Sequence, residues 1–271
     1  MNKPKGIKLP NAPLTEVVFE LHWKLAGAEG TPDQIKYDPG YRYMSDEFRN
    51  QVGRLGFPHS TRHAADNAFL SGYGIEWRFH KNEPGGFPLL QIGPGIFAAN
   101  DAVGYVWGDY KDLCLAGLKL LLKSRPKMNF FDFEPNLLEL RFTDSFSVDQ
   151  VSGQDLAKFA NANTSLKLTL PSFCDTEKLG APEAGQVGFA FPVKGAKGTQ
   201  FSFAISNALV KDVKSIVLLT RVTTKQDDGG IPKSFEKLVS HVDRWLEDAH
   251  AITSPFFKDF VSQDLMKAFE R

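Results

Sequence analysis

The stretch LTEVVFELHWKL (14–25) alternates strictly: Val17, Phe19, Leu21 and Trp23 fall on one side, and Val18, Glu20, His22 and Lys24 on the other. A period of two marks a strand with one buried face. The alternation returns in GIEWRFHK (74–81), where Ile75, Trp77 and Phe79 oppose Glu76, Arg78 and His80. It returns again in LLELRFT (137–143), where Leu138, Leu140 and Phe142 oppose Glu139, Arg141 and Thr143. Two apolar runs, FPLLQIG and GIFAAN, flank Gly93-Pro94-Gly95 and predict two more strands. Later in the chain SLKLTL (165–170), QVGFAFPV (186–193), TQFSFAIS (199–206) and SIVLLTRVT (215–223) predict four.

Helical spacing appears between these runs. Residues 41–55 turn Phe48 and Val52 inward, and 109–124 repeat Leu113, Ala116, Leu120 and Leu121 with Asp109 as the expected N-cap. A short helix is expected over 152–163. After the DDGG loop (227–230), Ser234 opens a helix whose stripe holds Leu238, Val242, Leu246 and Ala249. A last helix is expected to start at Ser254 with Pro255 in its first turn, leaving His250 at the break between the two. Residues 26–40 and 56–72 read as loops.

This order predicts an α+β fold made of two degenerate β-α-β-meander-α halves, in the helix-grip or TATA-binding-protein-like manner. The sheets should be mostly antiparallel, with helices packed on one face and an extra C-terminal helix. The expected divisions are an N-terminal arm (1–13), a first half (14–135) and a second half (136–271) with the C-terminal helices.

Charge narrows the partners. The 271 residues carry 32 basic and 32 acidic side chains, without the basic excess of a dedicated nucleic-acid binder. The two cysteines, Cys114 and Cys174, make no CxxC pair, and Cys114 lies in an apolar run that suits a buried thiol. The opening MNKPKGIKLPNAP has no apolar leader, so the expected home is the cytoplasm, away from membranes.

Candidate chemistry is sparse. Gly93-Pro94-Gly95 lacks the lysine of a phosphate loop and is followed by a strand-like run, so it reads as a structural type II turn. His59 and His63 have helical metal spacing, but their loop context and the lack of a nearby third ligand favour a surface pair. No hydrolase elbow, zinc helix or kinase signature is present, so no metal and no cofactor is expected, and the reading leans away from an enzyme. What remains is the polar face of the strands: Glu20, His22, Glu76, Arg78, His80, Glu139 and Arg141 form the candidate binding set. The bland alternative is a solvated face with cross-strand ion pairs. A dispersed catalytic site built on His22, His80, Glu76 and Arg78 is one further alternative, and nucleic-acid binding by the sheet is another.

Three segments, LPNAPLTEVVFELHW (9–23), LQIGPGIFAANDAVGYVWGDY (90–110) and LRFTDSF (140–146), resemble the signature of a sporadically distributed bacterial family of unknown function. AHAITSPFFKDFVSQDLMKAF (249–269) resembles that family's closing helix. The resemblance implies no catalytic residues. Its patchy occurrence implies a horizontally moved gene, as in defence or toxin-neutralising systems. The function expected is therefore a non-catalytic binding module for a partner protein or small polar ligand, acting through the sheet face and the loops at 26–40 and 56–72. A homo-oligomer stays open.

Overall fold

The computed structural model describes residues 11–27, 32, 36–63, 72–102, 104–126, 133–147, 155–175, 179, 182, 184–226, 230–232 and 234–270. Among the described residues nine strands build one antiparallel sheet: β1 (Leu14–Trp23), β2 (His59–Arg62), β3 (Trp77–His80), β4 (Leu89–Gly93), β5 (Ile96–Asp101), β6 (Pro135–Ser147), β7 (Gln186–Pro192), β8 (Thr199–Val210) and β9 (Val213–Lys225). Their spatial order is β2-β3-β4-β5-β1-β6-β9-β8-β7. The two strands at the centre, β1 and β6, are each followed by a meander that begins at an outer edge and works inward.

The described helices are α1 (Tyr41–Val52), α2 (Trp107–Ser124), α3 (Leu156–Asn163), α4 (Phe235–Phe260) and α5 (Gln263–Glu270). They lie on one face of the sheet. The alternation of β1 supplies Val17, Phe19, Leu21 and Trp23 to the main core, where they meet Phe48 of α1, Cys114 and Leu118 of α2, and Val242 and Leu246 of α4. A second cluster gathers Phe146, Ile205 and Leu218 from the sheet with Phe159 of α3 and Leu265 and Phe269 of α5. Among the described residues no helix is long and apolar enough to cross a membrane.

Four local expectations are corrected. SLKLTL is not a strand: the Leu168 amide donates to Asn161 Oδ1, the Leu166 amide to Thr164 Oγ1, and both leucines pack on the second cluster. Residues 59–62 of the expected loop form β2, a polar edge strand paired with β3, so His59 does not share a helix with His63. Asp109 lies in the first turn of α2 rather than at its N-cap, which is Val106. Pro255 sits inside α4, which continues to Phe260. A proline within a helix costs about 3 kcal/mol, but Phe256 and Phe260 pack their rings against Phe203 and continue the apolar stripe past it. His250 is consequently mid-helix, with its ring stacked on Trp107 at 4.0 Å. Residues 227–229 of the DDGG loop and most of the N-terminal arm lie outside the described residues.

Within Gly93-Pro94-Gly95, Pro94-Gly95 is the two-residue turn joining β4 to β5, with Gly95 at a φ of 77°. The turn is buried. The Tyr73 amide donates to the Pro94 carbonyl at 2.8 Å and the Trp23 amide to the Gly95 carbonyl at 3.0 Å. Asp38 completes the clamp: Oδ2 accepts from Trp23 Nε1 at 2.8 Å and from the Gly95 amide at 3.3 Å, and Oδ1 from the Gly40 amide at 3.0 Å. Burial lifts the Asp38 carboxyl above its ordinary range, and these donors oppose the rise. Asp38→Ala leaves buried donors unmatched and is expected to cost about 2–3 kcal/mol, read as a lower urea midpoint. An unchanged midpoint would show that the clamp is passive.

Candidate functional site

Strand register decides which of the polar residues meet. One row crosses the sheet as Thr61, Arg78, Gln91, Ala98, Glu20, Glu139, Thr223 and Gln200. The adjacent row runs His80, Leu89, Asn100, Val18, Arg141, Arg221 and Ser202. Both rows lie on the face away from the helices. Glu20 and Glu139 are thus direct cross-strand neighbours at the β1–β6 seam, where two like charges need cations to hold them.

The cations are present. Arg141 reaches Glu139 at 3.1 Å and Glu20 at 3.5 Å, and Arg221 from β9 lies 3.3 Å from Glu139. His22 Nε2 lies 2.9 Å from Glu20 Oε2. Its ring stacks on Tyr73 at 4.9 Å, and the Tyr73 hydroxyl accepts from Asn136 Nδ2 at 3.2 Å. Tyr73 has a φ of 63°, the left-handed region that a bulky side chain rarely enters. Its ring also occupies the space beside Gly95, where a Cβ would come within 2.8 Å of it. The buried turn therefore positions Tyr73, Tyr73 positions His22, and His22 positions Glu20.

The two carboxyls are pushed apart electrostatically. Burial raises Glu20, but His22, Arg141 and Arg221 outweigh it and hold the group below its ordinary range. Burial also raises Glu139, and the neighbouring Glu20 charge adds to the rise, so Glu139 ends above its range despite both arginines. Among the described residues no group of three or more His, Cys, Asp or Glu side chains is arranged to hold a metal ion.

The remaining candidates form separate contacts. Arg78 Nε donates to Gln91 Oε1 at 3.1 Å, Gln91 to Asn100 Oδ1 at 2.7 Å, and Asn100 to Glu16 at 2.8 Å. His80 is buried, 3.1 Å from Thr61 Oγ1 and 3.0 Å from the Gly86 carbonyl. Glu76 precedes β3 and pairs with Arg62 at 2.8 Å. Burial, with the Glu76 charge beside it, drives the Tyr41 hydroxyl far above its ordinary range. Three strand spacings, about 14 Å, separate Arg78 from Glu20. His22, His80, Glu76 and Arg78 do not converge.

Exposure is uneven along this face. On β1, β3, β4 and β5 the residues Val18, His80, Gln91, Ala98 and Asn100 are all buried. Beyond the seam the face opens: Arg141 is 26% and Arg221 38% exposed, Ser202, Ala204 and Ser206 are half-buried, and Gly188 and Ala190 on β7 are exposed. The charged network stands at the inner border of an open, small-residue floor. Arg221 and Tyr73 were not in the expected set. The alternation of SIVLLTRVT carried the signal for Arg221; for Tyr73, flanked by glycines in GYG, the sequence carried none. No family model matches the chain, and no curated protein matches it.

Proposed function

We propose that the protein is a non-catalytic binding module that takes a partner protein or small polar ligand on the open face of β6, β9, β8 and β7. The observation that carries this reading is the graded face: a pre-organised Glu20–His22–Glu139–Arg141–Arg221 network, partly exposed, borders a floor with little side-chain bulk. Charge-assisted contacts from fixed arginines give orientation, and a flat floor admits a large surface. The resemblance to the sporadic bacterial family supports a role in a defence or toxin-neutralising system. A duplicated, TATA-binding-protein-like body plan, 14–135 and 136–271, fits the strand order in which both meanders run inward to a central first strand. That plan puts the charged network at the junction of the halves.

Arg221→Ala and Arg141→Ala are expected to weaken the partner's binding by about tenfold to a hundredfold, measured by quantitative capture from the source cells against wild-type protein. Leu209→Ser, at an exposed site in β8 away from the network, should leave capture unchanged. Equal recovery by wild type and both arginine variants would sink the reading.

A further inference from the structure

A cavity of about 370 Å³ lies between the first turns of α4 and the segment Gly230–Pro232 that follows β9. Its helical wall presents Lys237, Ser240, His241 and Arg244. Lys237, His241 and Arg244 stand at i, i+4 and i+7, so they form one stripe beside the core-facing Leu238, Val242 and Trp245. Among the described residues neither Lys237 nor Arg244 has an ion-pair partner within 4.0 Å, unlike Lys111, which is neutralised by Asp243 and Glu247. The His241 Nε2 atom is shut off from solvent and has no hydrogen-bond partner. Burial, then the Arg244 charge, holds the His241 imidazole below its ordinary range, against an opposing pull from Asp248.

Lys237 and Arg244 are both exposed and solvated, but with His241 between them they gather two positive charges and an imidazole on one wall of the cavity. Such a wall attracts an anion. We propose that this cavity binds a phosphate group, as the free ion or as a small phosphomonoester. Lys237 supplies an ammonium and Arg244 a two-pronged guanidinium, with the His241 ring on the wall between them. The stripe spans about 10 Å of helix. A carboxylate offers two oxygens, whereas a phosphate offers three or more to donors arriving from such separated positions. The volume leaves room for an organic group beyond the phosphate. This site shares no residue with the network at the β1–β6 seam and stands or falls independently of it.

Calorimetric titration of the full chain with inorganic phosphate, and in parallel with ribose 5-phosphate, tests the site at fixed ionic strength. Chloride and acetate serve as controls. Saturable binding of either phosphate is expected, at least about tenfold weaker in the double variant Lys237→Gln/Arg244→Gln. Lys258→Gln, a charge removed elsewhere on α4, should leave it unchanged. Tighter binding of the ester identifies phosphomonoesters as the source; binding of the free ion alone identifies phosphate itself. The His241 imidazole proton signals should move on addition of ligand, and the double variant's unfolding midpoint without ligand should be no lower than wild type. No saturable binding of either phosphate, equal binding by the double variant, or equal competition by acetate would overturn the proposal.

Discussion

Gly93→Ala is expected to unfold the protein or to cost it about 4 kcal/mol or more, far beyond the usual effect of one methyl group. A Cβ at this position would lie 1.8 Å from the Gly74 carbonyl oxygen and 2.8 Å from its carbon. Both are backbone atoms, so no rotamer change relieves the clash. The close approach is enforced from both sides: the Tyr73 amide donates to Pro94 and the Glu76 amide to Ile92, which pins residues 73–76 along the turn. Moving Gly74 away would break these bonds and release the Tyr73 ring from His22. Urea denaturation followed by tryptophan fluorescence reads the loss. Gly53→Ala is the contrast. Gly53 has a φ of −58° and nothing within 4 Å of its would-be Cβ, so a gain of about 0.5–1 kcal/mol is expected there. Similar midpoints for the two variants would refute the tight packing assigned to the turn.

Asp144→Asn is expected to stabilise the protein at pH 8 by about 4 kcal/mol and to leave it unchanged below pH 4. Asp144 lies on β6 between Phe142 of the main core and Phe146 of the second cluster, on the helix side of the sheet. Burial alone pushes its carboxyl up to about 7 from an ordinary 3.8. The folded chain therefore keeps this proton to near pH 7, while the unfolded chain releases it near pH 4. Between those values the unfolded state binds fewer protons, so stability falls as pH rises, and above the folded value the loss is complete. Asparagine cannot ionise, so its stability curve lacks that fall. Urea midpoints across pH 4–8 measure it, and parallel curves for the two proteins would refute the burial of an uncompensated carboxyl.

Much of this architecture was legible because it rests on alternation. Val17, Phe19, Leu21 and Trp23 are core on β1 for the reason their spacing suggests, and Leu138 and Leu140 repeat it on β6. The same alternation put Glu20, His22, Glu139 and Arg141 on the opposite face. It could not say that β1 and β6 are neighbours, because that pairing joins distant parts of the chain. Glu76 illustrates the limit of periodicity. It lies before the regular ladder of β3 begins, and its carboxylate goes to Arg62 rather than to the row of Arg78. The HSTR strand carries no apolar signal at all and exists because β3 offers it an edge. SLKLTL erred in the other direction: its alternating leucines are real anchors, but Asn161 and Thr164 capture the backbone donors a ladder would have used. Pro255 misled because local propensity was outweighed by the packing of Phe256 and Phe260, which follow it.

The central position of β1 has a consequence for synthesis. Its partners arrive late: Asn100 follows Glu16 by 84 residues, and Arg141 follows Glu20 by 121. Strands β3, β4 and β5 can pair by short turns as they emerge, and so can β8 and β9. Of the described strands β1 is made first, and with five apolar side chains that are buried in the finished protein it has no neighbour until β5 exists and an open edge until β6 does. A nascent chain of this protein exposes a sticky segment well before its partners β5 and β6 are made, and is a natural client for a chaperone waiting at the ribosome exit.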